Sequence, residues 1–350
     1  MPAETATLAI DVGATRTRTA LVRQGAIVDR TEQPTSDLVG RTGLASGLVG
    51  EARRLLSSAS PDNRSVAAIG VSLAAGVDQT GNVVQARDFG IRAGAGLSQA
   101  LSTAFEVPVA VNNDANLAAL AEHELGAARG HDNAAVITLG SNIGLGLIVG
   151  GQVHRGAHGM AGEVGLLLLP SESIGEHVDG RRPVDAGRFG SVESAAPEGY
   201  AWIEELVGGR ALATAASTPR AASAQAQDNT TEPEHPRILT REAFANPALR
   251  PLGERAVEGW ALIIATLGAL LDVEIVVLTG SVAADAAHLL NTLRRRVAEL
   301  VAIPPEVVLG TLGPDAELLG ADLFARAALE RAADRYARAG LSAQSTGERR

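Results

Sequence analysis

No cysteine occurs among the 350 residues, which excludes disulfides and thiolate-held metal centres. Aromatic residues make up only 3%, so any core must be built from Ala, Val, Leu and Ile. No uncharged apolar run reaches the roughly 18–20 residues that a bilayer span needs. The longest candidate, Trp260 to Leu271, is shorter and reads as a buried helix. No basic-then-apolar stretch precedes Leu8, so no secretory leader is expected and the cytoplasm is the expected compartment. Positive charge is in deficit, with 30 Lys and Arg against 40 Asp and Glu and a net charge of -10. That balance reads as a solvated acidic surface and argues against nucleic acid or an acidic membrane as partner.

What remains is ordinary soluble globular composition in a chain long enough for two domains, and the strands and helices expected along it read as α/β. Leu8–Asp11 and Thr19–Val22 are short apolar runs around a small-residue turn and predict a β-hairpin, with 25–29 continuing the meander. Helices are expected over 44–56, 97–105, 115–128, 247–271, 283–300 and 317–338. Strands are expected over 66–73, 107–111, 134–139, 143–149, 274–278 and 307–309. Ala75-Gly76-Val77-Asp78 reads as a loop. The segment 217–236, rich in Ala, Ser, Thr, Gln and Pro, reads as a flexible insertion, and 340–350 as a disordered tail. Leu8–Val22 and Val136–Val149 both run strand, small-residue turn, strand, which suggests an internal duplication. Such turns offer backbone N–H groups that can cradle phosphate, though most hairpin turns are only turns.

Five motifs in register make the pattern specific. Asp11-Val-Gly13-Ala-Thr15-Arg16 resembles the first phosphate motif of actin-like kinases. Asn113-Asp114-Ala-Asn116 stands at a strand end before a helix, and Thr138-Leu-Gly140-Ser-Asn-Ile-Gly144 resembles a second phosphate motif. Arg155-Gly-Ala-His-Gly159-Met-Ala-Gly162-Glu163-Val-Gly165 and Leu271–Val282 resemble a sugar-site motif and an adenosine motif. Together, from Thr7 to Arg326, they resemble the ROK family of sugar kinases and related repressors. The resemblance implies two RNase H-like, actin-like ATPase lobes with an interlobe nucleotide and sugar cleft. One lobe is expected from 1–114 plus about 315–338 and the other from 115–314.

It also implies roles. Asp114 would be the general base that activates a sugar hydroxyl for attack on ATP. The spacing alone equally allows it to be a helix N-cap. Asn113, Glu163 and Glu193 would contact the sugar, with Gly76 in the same set. Asp11 would bind magnesium, through water, as hard oxygen ligands suit that ion. Gly13, Thr15, Arg16, Gly140, Ser141 and Gly144 would shape the phosphate cradles, and Gly280 and Ser281 would flank adenosine. Asn142 stands where the motif has glycine, and Asn tolerates the left-handed backbone that would preserve the turn.

The family's zinc site, one histidine and three cysteines, is missing. Leu166, Val184, Ala186 and Ser191 occupy the four positions, around Gly187, Gly190 and Glu193, which do match. No zinc is expected, and His154, His158 and His177 read as loop or surface histidines. Losing the histidine also removes a polar contact beside the sugar.

The expected function is an ATP-dependent hexose or N-acetylhexosamine kinase, with a sugar as partner and a homodimer as the family's common state. Two other readings stand beside it. One is a catalytically weak sugar sensor, motivated by the missing ligands. The other is a transcriptional regulator, for which Asp11 lies too near the start to leave room for a preceding winged helix.

Overall fold

Alternating apolar residues at the N-terminus fold into a three-stranded meander. β1 (Ala6–Val12), β2 (Arg16–Arg23) and β3 (Ala26–Pro34) pair antiparallel. The computed structural model describes residues 6–40, 43–60, 65–86, 96–170, 197, 200–216 and 239–347. By contacts the chain divides into two compact units. One comprises Met1–Ala121, Ala157–Met160 and Asp315–Arg350, the other Glu122–Gly156 and Ala161–Pro314.

In the first unit the meander is followed by α1 (Thr35–Val39), α2 (Leu44–Ser58) and β4 (Val66–Leu73). The hairpin β5 (Ala75–Val77) and β6 (Val83–Ala86) stands where a loop is expected over 75–78. Next come α3 (Leu97–Phe105), β7 (Val109–Asn113) and α4 (Asp114–Glu124), and the C-terminal helix α11 (Ala316–Gly347) returns to the same unit. β4 runs parallel to β1, and β7 to β4, giving the order β3-β2-β1-β4-β7.

Every residue of β1 is buried, because both sheet faces are covered. Leu8, Ile10 and Val12 face a core with Leu48 and Leu55 of α2 and Leu101 of α3. The opposite face carries small residues. Ala9 and Ala20 meet Leu117 of α4 and Leu318 and Ala321 of α11. A Cβ on Gly70 of β4 would lie 1.9 Å from the Ala321 carbonyl oxygen, and one on Gly320 would lie 2.0 Å from that of Leu117. These two glycines let α11 lie directly on β4 and α4.

The second unit repeats the plan. β8 (Ala134–Leu139), β9 (Ile143–Val149) and β10 (Gln152–Val153) form a meander. β11 (Leu168–Pro170) pairs with β12 (Tyr200–Trp202), followed by α5 (Ile203–Val207), α6 (Gly209–Ala216), α7 (Arg241–Ala245) and α8 (Arg250–Leu271). β13 (Ile275–Thr279), α9 (Ser281–Asp285), α10 (Leu290–Leu300) and β14 (Glu306–Leu309) complete it. The sheet order β10-β9-β8-β13-β14, with β13 parallel to β8 and β14, has the same pattern as the first sheet. The duplication read from the two hairpins therefore extends to the whole sheet. Trp260, Ile264 and Leu267 of α8 pack this unit's core against Ile137 and Val276.

Several boundaries differ from the sequence expectation. α4 ends at Glu124, not 128, because the Glu122 carboxylate takes the amide of Ala127 at 2.7 Å in place of a helical bond. The segment 281–300 is not one helix. Ala283, Ala286 and Leu289 are all buried at a spacing of three, and a 3₁₀ turn over 287–289 matches that period before α10 resumes. α11 continues to Gly347 through most of the expected tail, along an Ala-rich stretch with few breakers. The expected insertion 217–236 and the loop holding Val184, Ala186, Ser191 and Glu193 lie outside the described residues. No helix among the described residues is long and apolar enough to cross a membrane.

Candidate active site

The carboxyl ends of the three parallel strands of the first unit gather its polar residues. Asp11 of β1 stands opposite Arg18 on β2 and opposite Ser72 on β4. Cross-strand partners share a face, so all three side chains point the same way. Arg18 donates to Asp11 Oδ2 from Nε at 3.1 Å and Nη2 at 2.8 Å, and the Ser72 hydroxyl donates to Oδ1 at 2.7 Å. Glu317, in the first turn of α11, accepts from the same Arg18 Nη2 at 3.2 Å. The side chains are 9% (Asp11), 21% (Arg18) and 19% (Glu317) exposed. Burial alone would lower the Arg18 pKa, but the charges of Asp11 and Glu317 hold it above its ordinary value. Burial, then the charge of Asp11, raises the Glu317 carboxyl to about 7, opposed in part by Arg18, with Asp114 adding to the rise. The sequence motifs pointed to Asp11 but missed Arg18, Ser72 and Glu317. An alternation argument along β1 and β2 could have found Arg18.

Asn113 and Asp114 sit where β7 passes into α4. Asn113 Oδ1 accepts the amide of Asn116 at 3.1 Å, the contact of an N-cap with the third helical residue. Its Nδ2 donates to the Ala75 carbonyl at 3.2 Å, beside Gly76 of β5. The capping role open to Asp114 thus falls to its neighbour. Asp114 is half-buried in the first turn, its Oδ1 on the amide of Ala115 at 2.8 Å.

The first phosphate turn closes with the Gly13 amide donating to Arg16 O at 2.9 Å, and the Thr35 hydroxyl braces it on Gly13 O at 2.7 Å. Thr15 and Arg16 are exposed, and Arg16 pairs with Glu32 of β3.

In the second unit, Gly140 and Ser141 follow β8, and Gly280 and Ser281 follow the adjacent parallel strand β13. Gly280 has φ 95°, and a Cβ there would lie 2.4 Å from the Leu139 carbonyl, so the approach requires glycine. The second turn closes from the Gly140 amide to Asn142 O at 3.1 Å. Asn142 does not have the positive φ anticipated for it, because this short bond forms without one. Gly144 lies in β9 opposite Thr138. The Arg210 amide at the start of α6 donates to Ser141 O at 2.9 Å. Glu163 is half-buried, after Gly162, whose φ of 93° lets the chain press onto the Leu145 carbonyl. Leu166 belongs to the 3₁₀ turn Val164–Leu166 and offers no ligand atom. His154 and His158 are exposed, and His177 lies outside the described residues.

Two units, each a five-stranded sheet of the same order with its polar residues at the ends of the parallel strands, define the actin-like ATPase class of fold. The chain belongs to the ROK family, whose model matches residues 7–328. It is 29% identical to a glucokinase of Halalkalibacterium halodurans, over 89% of this chain and 92% of the relative. It is 26% identical to an N-acetylmannosamine kinase of Vibrio cholerae, over 81% and 86% of the two chains. A crystal structure of a ROK family glucokinase from Streptomyces griseus, in complex with glucose and AMPPNP, superposes with a TM-score of 0.68 at 25% identity, covering 92% of this chain and 99% of that one.

Proposed function

We propose that this chain is an ATP-dependent sugar kinase that phosphorylates a hydroxyl of a hexose or N-acetylhexosamine, with Asp114 as general base. The observation that carries this is the division of labour at the start of α4. Asn113 caps the helix at Asn116, and the half-buried Asp114 carboxylate is held at the start of the helix by the Ala115 amide on Oδ1. Its kinship to a glucokinase and an N-acetylmannosamine kinase supports the substrate class.

A sugar hydroxyl holds its proton near neutral pH, so attack on phosphorus is helped by a carboxylate placed to accept that proton as the bond forms. Asp114 takes that role. Glu163, Glu193, the spare Nδ2 hydrogen of Asn113 and the backbone at Gly76 orient the hydroxyls. The Gly13–Thr15 turn, with Arg16, and the Gly140–Ser141–Gly144 turn hold phosphate oxygens by backbone N–H groups. Gly280 and Ser281 flank adenosine.

Magnesium fits the residues present. Asp11 has roughly four lone-pair positions, of which Arg18 takes two and Ser72 one. What remains suits a water-mediated contact to an ion that keeps its waters. When bound, magnesium neutralises charge on the transferring phosphate. No zinc is proposed. The sugar is the small-molecule partner, no nucleic acid or membrane is proposed, and a homodimer in the cytoplasm is the arrangement that membership of the family suggests.

A second reading, a weakly catalytic sugar-binding protein, is favoured by Leu166, which replaces a polar ligand with an apolar side chain. One assay separates them: a panel of hexoses and N-acetylhexosamines with ATP and magnesium. The kinase reading expects turnover on at least one sugar. Asp114→Ala should then lower kcat about 10²–10⁴-fold while sugar affinity stays near that of the parent. A variant that keeps its rate would show that Asp114 is not the base. Sugar binding with no phosphorylation across the panel would favour the sensor.

A further inference from the structure

Arg18 creates an electrostatic problem for the assigned role of Asp11. A guanidinium 2.8 Å from the carboxylate cancels its charge and repels any divalent cation that approaches it. Asp11 and Arg18 together sum to zero. Glu317 supplies a second negative charge, brought by α11 to the same Nη2 atom at 3.2 Å. Above about pH 7, where Glu317 is ionised, the three groups then carry a net charge of -1.

We propose that Glu317 is a positioning residue for the metal–nucleotide complex: it balances Arg18 so that Asp11 keeps a net negative charge for the phosphate-bound cation. This rests on the kinase reading above.

A purely structural role explains the residue poorly. α11 is already anchored by Leu318 and Ala321, with Gly70 and Gly320 allowing close approach. Buried ion pairs add little stability over apolar replacements. Burial also disfavours the ionised form of Glu317, the pattern of a group retained for chemistry. Of the charged groups nearby, two arginines are paired elsewhere and one carboxylate adds to the same field. Arg16 is on Glu32, Arg30 on Asp315, and Asp114 adds negative charge.

The test measures how magnesium controls nucleotide binding. ADP is titrated by calorimetry at a series of magnesium concentrations at about pH 8, where Glu317 is ionised. The proteins are the parent, Glu317→Gln, Glu317→Asp and the double variant Arg18→Gln/Glu317→Gln, each checked for folding by circular dichroism. Glu317→Gln should raise the half-saturating magnesium concentration roughly three- to tenfold, the effect of one unit charge through partly screened surroundings, with ADP affinity in EDTA unchanged. Glu317→Asp keeps the charge and should stay near the parent. The double variant restores the net charge of -1 and should return to within about twofold of the parent. A merely structural role would leave it at least as impaired as the single variant. Should Glu317→Gln not fold, Arg18→Gln alone is read, and its magnesium requirement should fall below the parent's. An unchanged requirement in Glu317→Gln, a double variant as impaired as the single, or an equal or higher requirement in Arg18→Gln overturns the inference. A parent that binds no nucleotide refutes the kinase reading and the inference with it.

Discussion

The same substitution, glycine to alanine, should change stability in opposite directions at two helical sites of one unit. Gly50 lies exposed inside α2, and a Cβ there meets nothing within 4 Å. Gly50→Ala gains helix propensity alone, about 1 kcal/mol. Gly320 lies buried inside α11, where the new Cβ would sit 2.0 Å from the Leu117 carbonyl oxygen, 2.5 Å from its carbon and 3.0 Å from its Cα. These are backbone atoms of α4, which cannot rotate away as a side chain would. The helices must part by about 1 Å, and overpacking of this kind costs about 1–3 kcal/mol, sometimes more. Contact at 2.0 Å with fixed backbone puts the cost at the top of that range, about 3 kcal/mol, so against the same propensity gain the net result for Gly320→Ala is a loss of about 2 kcal/mol. At about 2–4 °C per kcal/mol for a unit of this size, Gly50→Ala should raise the melting temperature and Gly320→Ala lower it by a few degrees. Thermal unfolding followed by circular dichroism reads both. A Gly320→Ala protein as stable as Gly50→Ala would refute the argument that this glycine exists for close helix approach.

Two further predictions concern charge and metal. Glu317 has a folded-state pKa near 7, above its unfolded value of 4.5, so the stability it contributes is present below about pH 4.5 and lost as pH rises through 7. Glu317→Gln, which cannot ionise, should be more stable than the parent by roughly 2–4 kcal/mol above pH 8 and no different below about pH 5. Urea unfolding midpoints across that range check it, and a difference independent of pH would count against it. Metal analysis of purified protein should find zinc far below one per chain, since Leu166 carries no ligand and the three thiol positions hold Val184, Ala186 and Ser191. Stoichiometric zinc would overturn that.

Stability and function pull Glu317 in opposite directions. A glutamine there should relieve the burial of a carboxylate, yet it should weaken the grip on magnesium. Strain kept at a functional site is the expected form of such a trade.

Local pattern was enough to place most strands, because period-two alternation and glycine turns act over a few residues, and the likeness of short motifs singled out Asp11, Asn113 and Asp114. It could not decide between Asn113 and Asp114 as the helix cap, since both are capping residues and only the backbone path selects one. Nor could it divide 281–300 into two helices, since the break answers to what Ala286 and Leu289 pack against.

The chain alone thus determined its class, because each of the five motifs that resemble the ROK family lies within a few neighbouring residues. Tertiary structure decided the electrostatics around Asp11. Ser72 lies 61 residues away along the chain, and Glu317 lies 299 residues from Arg18. Strand register and the return of α11 bring them within hydrogen-bond reach, and charges interact through space and dielectric, not along sequence.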